Sequence, residues 1–195
     1  MDRLLLIPQP SSTKTAPVKV NANGWLSGLR RVATPNCDRR PPDTAIDMLV
    51  IHNISLPPGE FGGSAIAQLF TNTLDLAAHP YYAQLKDLKV SAHFLIRRNG
   101  EIIQFVPCIK RAWHAGVSSW QERSACNDFS IGVEMEGSDH VPFSNPQYAA
   151  LVRLTRRLKR AYPIRYVVGH SDIAPGRKTD PGQYFDWTRY LASVK

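Results

Sequence analysis

The sequence predicts an α/β fold, a single domain in which helices flank a central mixed β-sheet. Two apolar runs, residues 48–51 and 166–168, have the length and composition of buried strands, whereas residues 145–161 repeat their apolar side chains at helical spacing. Strands interspersed with helices along one chain indicate an α/β protein. With 195 residues, the chain is long enough to bury the core of one domain.

The N-terminal part of the chain is predicted to be irregular. Residues 1–22 are rich in Pro, Ser, Thr and Lys and are expected to form an arm, so that the folded domain comprises residues 23–195. A loop with three prolines follows at 34–44, and residues 47–52, which contain the apolar run 48–51, are predicted to form the first buried strand.

A short helix and a hairpin are predicted in the middle of the chain. Ser64 is expected to cap a helix that ends at Phe70, and residues 81–88 are predicted to be helical or irregular. Residues 91–106 are predicted to form a β-hairpin, because Asn99-Gly100 supplies a turn that tolerates positive φ.

Residues 129–136 are predicted to form a further strand with two different faces. Glu134 and Glu136 share one face, and the other face is apolar, with Ile131, Val133 and Met135. Downstream, Asn145-Pro146 is expected to begin a helix that runs to about Ala161.

The C-terminal part of the chain is predicted to hold one more strand and one more helix. Residues 166–168 form the strand, and Asp186 is expected to cap the last helix. The side chains of that helix expected to face inward are Trp187, Tyr190, Leu191 and Val194.

The composition excludes several classes of protein. The apolar run Leu4–Ile7 is too short for the core of a signal peptide, and no later stretch approaches the length of a membrane span. We therefore expect a cytoplasmic protein without a membrane partner. Three widely spaced cysteines, Cys37, Cys108 and Cys126, indicate reduced thiols rather than a disulfide framework.

The net charge of +8 predicts attraction to anionic partners. Much of this charge lies on the predicted helix at 145–161, in Arg153, Arg156, Arg157, Lys159 and Arg160. A solvated helix face is the simpler interpretation, because neither interleaved aromatic residues nor a nucleic-acid-binding motif accompanies these side chains. We expect no nucleic-acid partner.

Two of the predicted strands lead directly into histidines. His52 ends the first buried strand and His170 follows residues 166–168, and the loops after strands are the usual position of sites in open α/β sheets. With Asp180, these histidines would form a three-ligand metal site that leaves one position for water. Spacing alone leaves open that each histidine is structural, because no compact motif joins the three residues.

Other polar residues would complete such a site. A metal hydrolase needs a carboxylate that is not a ligand, and Glu134 and Glu136 are both candidates. Lys178 is either a surface lysine or a group that stabilises an oxyanion. The segment Trp113–Gly116 is expected either to line a substrate cleft or to pack in the core.

Five long segments carry a family resemblance. They are Leu49–Gly63, Ser91–Glu101, Arg111–Gly116, Cys126–Gly137 and Gly169–Gly182. Together they resemble the zinc-dependent N-acetylmuramoyl-L-alanine amidases, and among these the type that acts on 1,6-anhydro-N-acetylmuramyl peptides. The resemblance extends from Gly24 to Trp187, nearly the whole chain.

The resemblance implies an amidase or peptidoglycan-recognition-protein-like fold with one zinc ion per chain. By position, it makes His52, His170 and Asp180 the zinc ligands. It selects Glu134 as the general base and acid, and it assigns transition-state stabilisation to Lys178. The residues that it places at the substrate cleft are Asn53, Tyr81, Trp113, His114 and Arg123.

One position departs from the family pattern. Members often have a basic residue directly before the cysteine of Cys126-Asn127-Asp128, where this chain has Ala125. Arg123 is expected to replace that residue in binding a peptide carboxylate; otherwise the affinity for substrate is expected to be lower.

The implied reaction is hydrolysis of the amide between the lactyl group of (1,6-anhydro-)N-acetylmuramic acid and L-alanine of the stem peptide, in cytosolic peptidoglycan recycling. The expected partner is an anhydromuramyl peptide, bound by a monomeric enzyme. The alternative is a non-catalytic muropeptide-binding module of the same fold. Because such relatives would be expected to have lost a ligand, the presence of all three favours the enzyme.

Overall fold

The structure, a computed structural model, describes residues 21–194. Residues 1–20 of the predicted arm lie outside this range. The strands within it are β1 (Arg30–Arg31), β2 (Cys37–Arg39), β3 (Met48–Ile54), β4 (Phe94–Ile96), β5 (Ile102–Gln104), β6 (Lys110–Ala112), β7 (Ser119–Trp120), β8 (Arg123–Ser124), β9 (Ser130–Glu136) and β10 (Tyr166–Gly169). The helices are α1 (Ala65–Phe70), α2 (Asn145–Ala161), α3 (His170–Ile173) and α4 (Trp187–Val194), with 3₁₀ turns at Pro80–Leu85 and Cys126–Asp128.

The central sheet has the strand order β1-β5-β4-β9-β3-β10. Strands β4, β9, β3 and β10 are parallel neighbours, whereas β5 runs antiparallel to β4. The sheet is therefore mixed, and the predicted fold class is confirmed. Every residue of β9 is buried, as expected for a central parallel strand covered on both faces.

The predicted hairpin is also confirmed. Strands β4 and β5 pair with Leu95 opposite Ile103, and the connecting turn is closed by a hydrogen bond from the N–H of Gly100 to the carbonyl oxygen of Arg97. Gly100 has a φ of +85°, which glycine adopts without strain. A Cβ atom there would also lie 2.8 Å from the carbonyl oxygen of Pro146, so the turn lies close to the start of α2.

The N-cap of helix α2 lies one residue earlier than the sequence predicts. Ser144, not Asn145, is the N-cap: its hydroxyl accepts from the N–H of Gln147 at 3.3 Å, and its own N–H donates to the Gln147 side chain at 3.0 Å. The Gln147 amide also donates to the carbonyl oxygens of Ile96 and Glu136. This reciprocal capping box ties the helix to the ends of β4 and β9.

Helix α4 packs on α2 through a narrower face than predicted. Tyr190 and Val194 are buried, and the Tyr190 hydroxyl lies 2.7 Å from the Thr155 hydroxyl on α2. The prediction that Leu191 faces inward is wrong, since its side chain is 40% exposed. Leu191 lies at the border of the apolar stripe of α4, where helical spacing alone cannot determine whether a side chain faces the core or the solvent.

The two faces of the sheet are covered by different elements. Leu49, Ile51 and Val133 pack with α2 and α4 in one apolar cluster. Side chains alternate along a strand, so His52 and Glu134 project from the opposite face. That face is covered on one side by α1 and on the other by the residues around α3. A polar gap between these two apolar clusters is the position of the candidate site.

No helix of residues 21–194 has both the length and the apolar character needed to cross a bilayer.

Glu136, at the end of β9, forms a buried ion pair with Arg97. The carboxylate and guanidinium are 2.7 Å apart, and their side chains are 2% and 12% exposed. The same carboxylate accepts from the N–H groups of Gly62 and Arg98. Glu136 therefore joins the sheet to the glycine-rich loop at residues 57–63.

Glu136→Ala is expected to lower the free energy of unfolding by about 3–5 kcal/mol, because it leaves the Arg97 charge buried without its partner. Glu101→Ala is the matched control, since its pair with Arg30 is exposed and such pairs contribute less than about 1 kcal/mol. Urea unfolding of both variants measures the difference. Equal losses would show that burial of the Glu136 pair is irrelevant to stability.

Candidate active site

The parallel pairing of β3 and β10 places two histidines side by side. Ile51 is in register with Gly169, so the next residue of each chain segment, His52 and His170, emerges at the same level. His170 is the first residue of α3. Both side chains are buried, at 1% and 4% exposure. The predicted pairing of these two histidines is thus present in the fold.

Asp180 is brought to the histidines by the loop that follows α3. The N–H of Ser171 donates to the carbonyl oxygen of Asp180 at 2.9 Å, which folds this loop back onto the end of β10. The Asp180 side chain is 16% exposed. Burial raises the pKa of Asp180, but its close contacts with His170 and His52 outweigh this effect and hold the pKa below its ordinary value.

Three ligand atoms converge at one point. His52 Nδ1 lies 3.0 Å from His170 Nδ1 and 2.9 Å from Asp180 Oδ2, and His170 Nδ1 lies 3.1 Å from the same oxygen. Ligand atoms held tetrahedrally at about 2.0–2.1 Å from one zinc ion stand about 3.3 Å apart, close to the observed spacing. The donor set and its spacing therefore fit zinc.

The contacts of Nε2 in both histidines determine which ring nitrogen carries the proton and which faces the point where the ligand atoms converge. His170 Nε2 lies 3.1 Å from the carbonyl oxygen of Ala115, which can only accept, so Nε2 carries the proton and Nδ1 presents a lone pair. His52 Nε2 lies 2.9 Å from His114 Nδ1, and His114 Nε2 lies 3.1 Å from the Ser130 hydroxyl. Burial also lowers the pKa of His52 and so favours its neutral, ligand form. Three acceptor atoms this close together repel one another unless a cation lies between them.

Asn127 holds the segment that contains His114 and Ala115, the residues that contact the Nε2 atoms of His52 and His170. Its amide oxygen accepts from the N–H of His114 at 3.1 Å and from the N–H of Ala115 at 2.9 Å. Neither Asn127 nor Ser130 is predicted from the sequence to have a role, although both lie within Cys126–Gly137, one of the segments that carry the resemblance. Their contribution depends on contacts that only the folded chain makes.

His114 is buried behind His52 rather than being only a cleft residue. It is 8% exposed, and Gly132 on β9 makes room for it: a Cβ atom at Gly132 would lie 2.4 Å from the imidazole ring. Burial and the neighbouring His52 lower the pKa of His114 well below its ordinary value. A neutral His114 can accept a hydrogen bond from His52 and donate one to Ser130.

His114→Ala is expected to weaken zinc binding by about 10–100-fold, the usual effect of removing the outer partner of a ligating histidine. His114→Gln retains a hydrogen-bond acceptor at this position and should lose less. Competition with a chromophoric zinc chelator measures the affinity without depending on catalysis. Unchanged zinc affinity in His114→Ala would contradict this positioning role.

The two glutamates of β9 have different environments. Glu134 pairs in register with His52 and is 9% exposed, and its Oε2 is buried without a hydrogen-bond partner in the described part of the chain. Burial, and secondarily the charge of Asp180, raise the pKa of Glu134 well above its ordinary value, while Lys178 opposes this shift. Glu136 is committed to Arg97. Of the two, Glu134 is the one that faces the histidines with an unsatisfied carboxyl oxygen.

Lys178 lines the cavity into which Glu134 and the two histidines also open. Its backbone N–H donates to the carbonyl oxygen of Ala174 at 3.0 Å, in the turn that follows α3. Its side chain is exposed, and its positive charge favours the ionised form of Glu134. An exposed ammonium group beside a buried carboxyl is free to contact a bound substrate.

The predicted cleft residues divide into two groups. Asn53, Tyr81, Trp113 and His114 all line a cavity of about 310 Å³ that ends at His52, His170, Asp180, Glu134 and Lys178. The rest of the lining is mostly apolar, with Ile54, Leu56, Leu69, Phe70, Leu85, Leu88 and Val90. The cavity therefore has a polar, ionisable end and an apolar wall.

Arg123 is not brought to this cavity. Its Nη1 donates to both carboxylate oxygens of Asp47, at 3.1 and 3.2 Å, and its guanidinium carbon lies 3.9 Å from the centre of the Phe129 ring. Asp47 and Phe129 directly precede β3 and β9, so Arg123 lies at the opposite end of these strands from the site. Ala125 does not line the cavity either.

Fold and site together define an α/β protein with a mixed sheet and a candidate mononuclear metal centre beside a buried carboxyl group, an arrangement suited to metal-assisted hydrolysis. The sequence profile of the N-acetylmuramoyl-L-alanine amidases matches residues 42–183. The chain belongs to this amidase family.

Individual relatives resemble the chain over most of its length. The 1,6-anhydro-N-acetylmuramyl-L-alanine amidase AmpD of Escherichia coli strain K12 is 57% identical over 173 residues, which cover 88% of this chain and 94% of that protein. A crystal structure of a Se-Met AmpD derivative has a TM-score of 0.86 at 56% identity and covers 89% of this chain and 98% of its own.

A more distant structure contains a substrate. It is the complex of the N-acetylmuramyl-L-alanine amidase AmiD from E. coli with anhydro-N-acetylmuramic acid-L-Ala-D-γ-Glu-L-Lys, with a TM-score of 0.55 at 33% identity. The match covers 80% of this chain and 60% of that one.

Proposed function

We propose that this chain hydrolyses the amide between the lactyl group of 1,6-anhydro-N-acetylmuramic acid and L-alanine of the stem peptide, in peptidoglycan recycling, with one zinc ion bound by His52, His170 and Asp180. The chain is an N-acetylmuramoyl-L-alanine amidase by family, and its AmpD and AmiD relatives are named for or bound to anhydromuramyl substrates. The observation that carries the proposal is the convergence of three ligand atoms beside Glu134, whose Oε2 has no hydrogen-bond partner in the described part of the chain.

Zinc bound at this point would supply Lewis acidity to the scissile carbonyl and an activated water. The protein's own residues would do the rest of the chemistry. Glu134, buried and close in register to His52, would take a proton from the attacking water and deliver it to the departing nitrogen of L-alanine. Lys178 would place its positive charge against the oxyanion that develops on the carbonyl oxygen.

The shape of the cavity supports a small muramyl substrate. Its volume of about 310 Å³ is at the lower end for ligand sites. This size suits a single anhydromuramyl residue with its reacting amide better than a glycan strand. Tyr81 and Trp113 would pack against the sugar, and the amide of Asn53, whose nitrogen also donates to Asp139 Oδ1, would bind a polar group of the substrate. Arg123 is omitted from the proposed contacts, because Asp47 already binds it.

A comparison of three substrates tests the proposal. Purified protein with about one zinc per chain, the content of a mononuclear site, should release peptide from anhydromuramyl tripeptide faster than from reduced muropeptide or whole sacculi. Removal of zinc by a chelator should stop the reaction, and added zinc should restore it. Binding of anhydromuramyl peptide without hydrolysis in zinc-replete buffer would contradict an enzymatic role.

A further inference from the structure

A second and larger cavity lies on the other face of the sheet. Its volume is about 660 Å³, against about 310 Å³ for the candidate active site. Leu29, Ile102 and Leu154 form its apolar part. Leu154 belongs to the buried face of α2, which packs on the side of the sheet opposite to His52 and Glu134. This cavity is therefore separate from the amidase site.

The cavity is lined by arginines. They are Arg30, Arg153, Arg156, Arg157 and Arg160, and we call this site the arginine cavity. Arg153, Arg157 and Arg160 follow one another at intervals of four and three residues, so they share one side of the helix, and Arg156 lies beside them. None of these four has a carboxylate within ion-pair distance among residues 21–194. Glu101 is the one carboxylate in the lining, and it is 3.5 Å from Arg30.

Hydrogen bonds within the protein satisfy only some of the N–H groups of these arginines. Arg156 and Arg157 each donate from Nη2 to a backbone carbonyl oxygen, of Ser193 and Ser27 respectively. Arg157 Nε is buried and has no acceptor within the described residues. Burial lowers the pKa of Arg157, although the nearby Cys108 opposes this shift. An anion in the cavity would offset the cost of keeping these guanidinium groups together.

We propose that the arginine cavity binds a small oligophosphate, an anion with two or more linked phosphoryl groups. Guanidinium groups pair with phosphate oxygens in a bidentate geometry. Arg153 and Arg160 are seven residues apart on α2, which corresponds to about 10 Å along the helix axis. A single phosphate would require both long side chains to bend toward the middle of the row, whereas a chain of two or three phosphoryl groups can pair with them while they extend outward.

Other polyanions fit the arginine cavity less well. Single-stranded nucleic acid binds through aromatic side chains that stack on its bases, and the cavity lining contains no aromatic residue. A membrane surface would engage exposed apolar side chains together with the basic ones. The exposed large apolar residues of the described chain all lie outside the lining; they are Phe61, Leu88, Ile109, Val117, Tyr184 and Leu191.

Isothermal titration calorimetry of the full-length protein with sodium tripolyphosphate tests the proposal. We expect one saturable site per chain in moderate salt, with at least tenfold weaker binding of orthophosphate and of citrate. The double variant Arg153→Gln/Arg160→Gln should weaken tripolyphosphate binding by at least tenfold. Both arginines are exposed and lie outside the candidate active site, so amidase activity should be unchanged.

Arg39→Gln/Arg165→Gln is the matched control, because it removes the same charge from exposed positions elsewhere. It should bind tripolyphosphate within twofold of the wild type. Asp180→Asn, which removes a proposed zinc ligand, should also bind normally, which separates the arginine cavity from chelation of zinc and from the proposed function. Equal weakening in both arginine pairs, more than one anion per chain, or citrate binding as tight as that of tripolyphosphate would overturn the proposal. So would binding of the wild type to phosphatidylglycerol vesicles, reduced in Arg153→Gln/Arg160→Gln, when tripolyphosphate does not bind.

Discussion

Glu134→Gln is expected to lower kcat/KM for anhydromuramyl tripeptide by about 10²–10⁴-fold, the usual contribution of a general acid–base group. Glutamine has nearly the same volume but cannot take a proton from water at neutral pH. Zinc content should stay unchanged, because Glu134 is not one of the three residues whose ligand atoms converge. Peptide release and zinc analysis on the same preparation measure both quantities.

Glu136→Gln makes the same chemical change two residues further along β9. Its carboxylate binds Arg97 and does not line the cavity. We therefore expect reduced stability but near-normal kcat/KM at temperatures where the variant is folded. Equal loss of activity in both variants, or a Glu134→Gln enzyme within tenfold of the wild type, would contradict the role of Glu134.

Glu134→Gln should also stabilise the metal-free protein in a pH-dependent manner. Folding raises the pKa of Glu134, so the folded state binds this proton more tightly than the unfolded state does. This tighter proton binding stabilises the folded wild-type protein fully below the ordinary glutamate pKa of about 4.3. The stabilisation is lost as the pH rises through the raised pKa of Glu134. The gain in Tm of the variant over the wild type should therefore be larger at about pH 8 than at about pH 4. The reverse trend would contradict the shift.

Asp180→Asn is expected to abolish zinc binding and to lower the rate of hydrolysis by about 10³-fold. Loss of about 4 kcal/mol of Lewis-acid stabilisation corresponds to a rate about 10³-fold lower. Zinc that binds only the folded state stabilises it by about 4 kcal/mol when its free concentration is about 1,000 times Kd. Added zinc should therefore raise the Tm of the wild type and leave that of Asp180→Asn unchanged. Calorimetric scans with and without zinc measure this difference.

Asp186→Asn is the matched control for this change. Asp186 caps α4 by accepting from the N–H of Arg189 at 2.9 Å, and asparagine is an equally good cap. The control should keep both its activity and the zinc-dependent rise in Tm. Retention of one zinc and of activity by Asp180→Asn would remove Asp180 from the ligand set.

The sequence is informative about the positions of the histidines, and the reason is local. Each follows an apolar strand, and the carboxyl ends of parallel strands meet at one edge of the sheet. Periodicity likewise predicted β3, the hairpin, β9 and α2 with small errors at their ends. Leu191 was misplaced because the border of a helical stripe depends on how closely α4 approaches its neighbours.

Long-range contacts account for what the sequence could not determine. Glu134 and Glu136 share one strand face, and only the folded chain pairs Glu136 with Arg97 and leaves Glu134 Oε2 without a hydrogen-bond partner among residues 21–194. His114 contacts His52 across 62 residues of sequence, so its place behind a ligand could not be read from local patterns. Arg123 is held by Asp47, which is 76 residues away in the chain.

The amide of Asn127 has a consequence for how the site can change. Because it holds the N–H groups of both His114 and Ala115, it sets the positions of the groups that contact His52 and His170. The two imidazoles are therefore energetically coupled, and substitutions at Asn127 and His114 should be non-additive in their effect on metal affinity. A single replacement of Asn127 would therefore disturb the contacts of both histidines at once, whereas a replacement of His114 would directly disturb only His52.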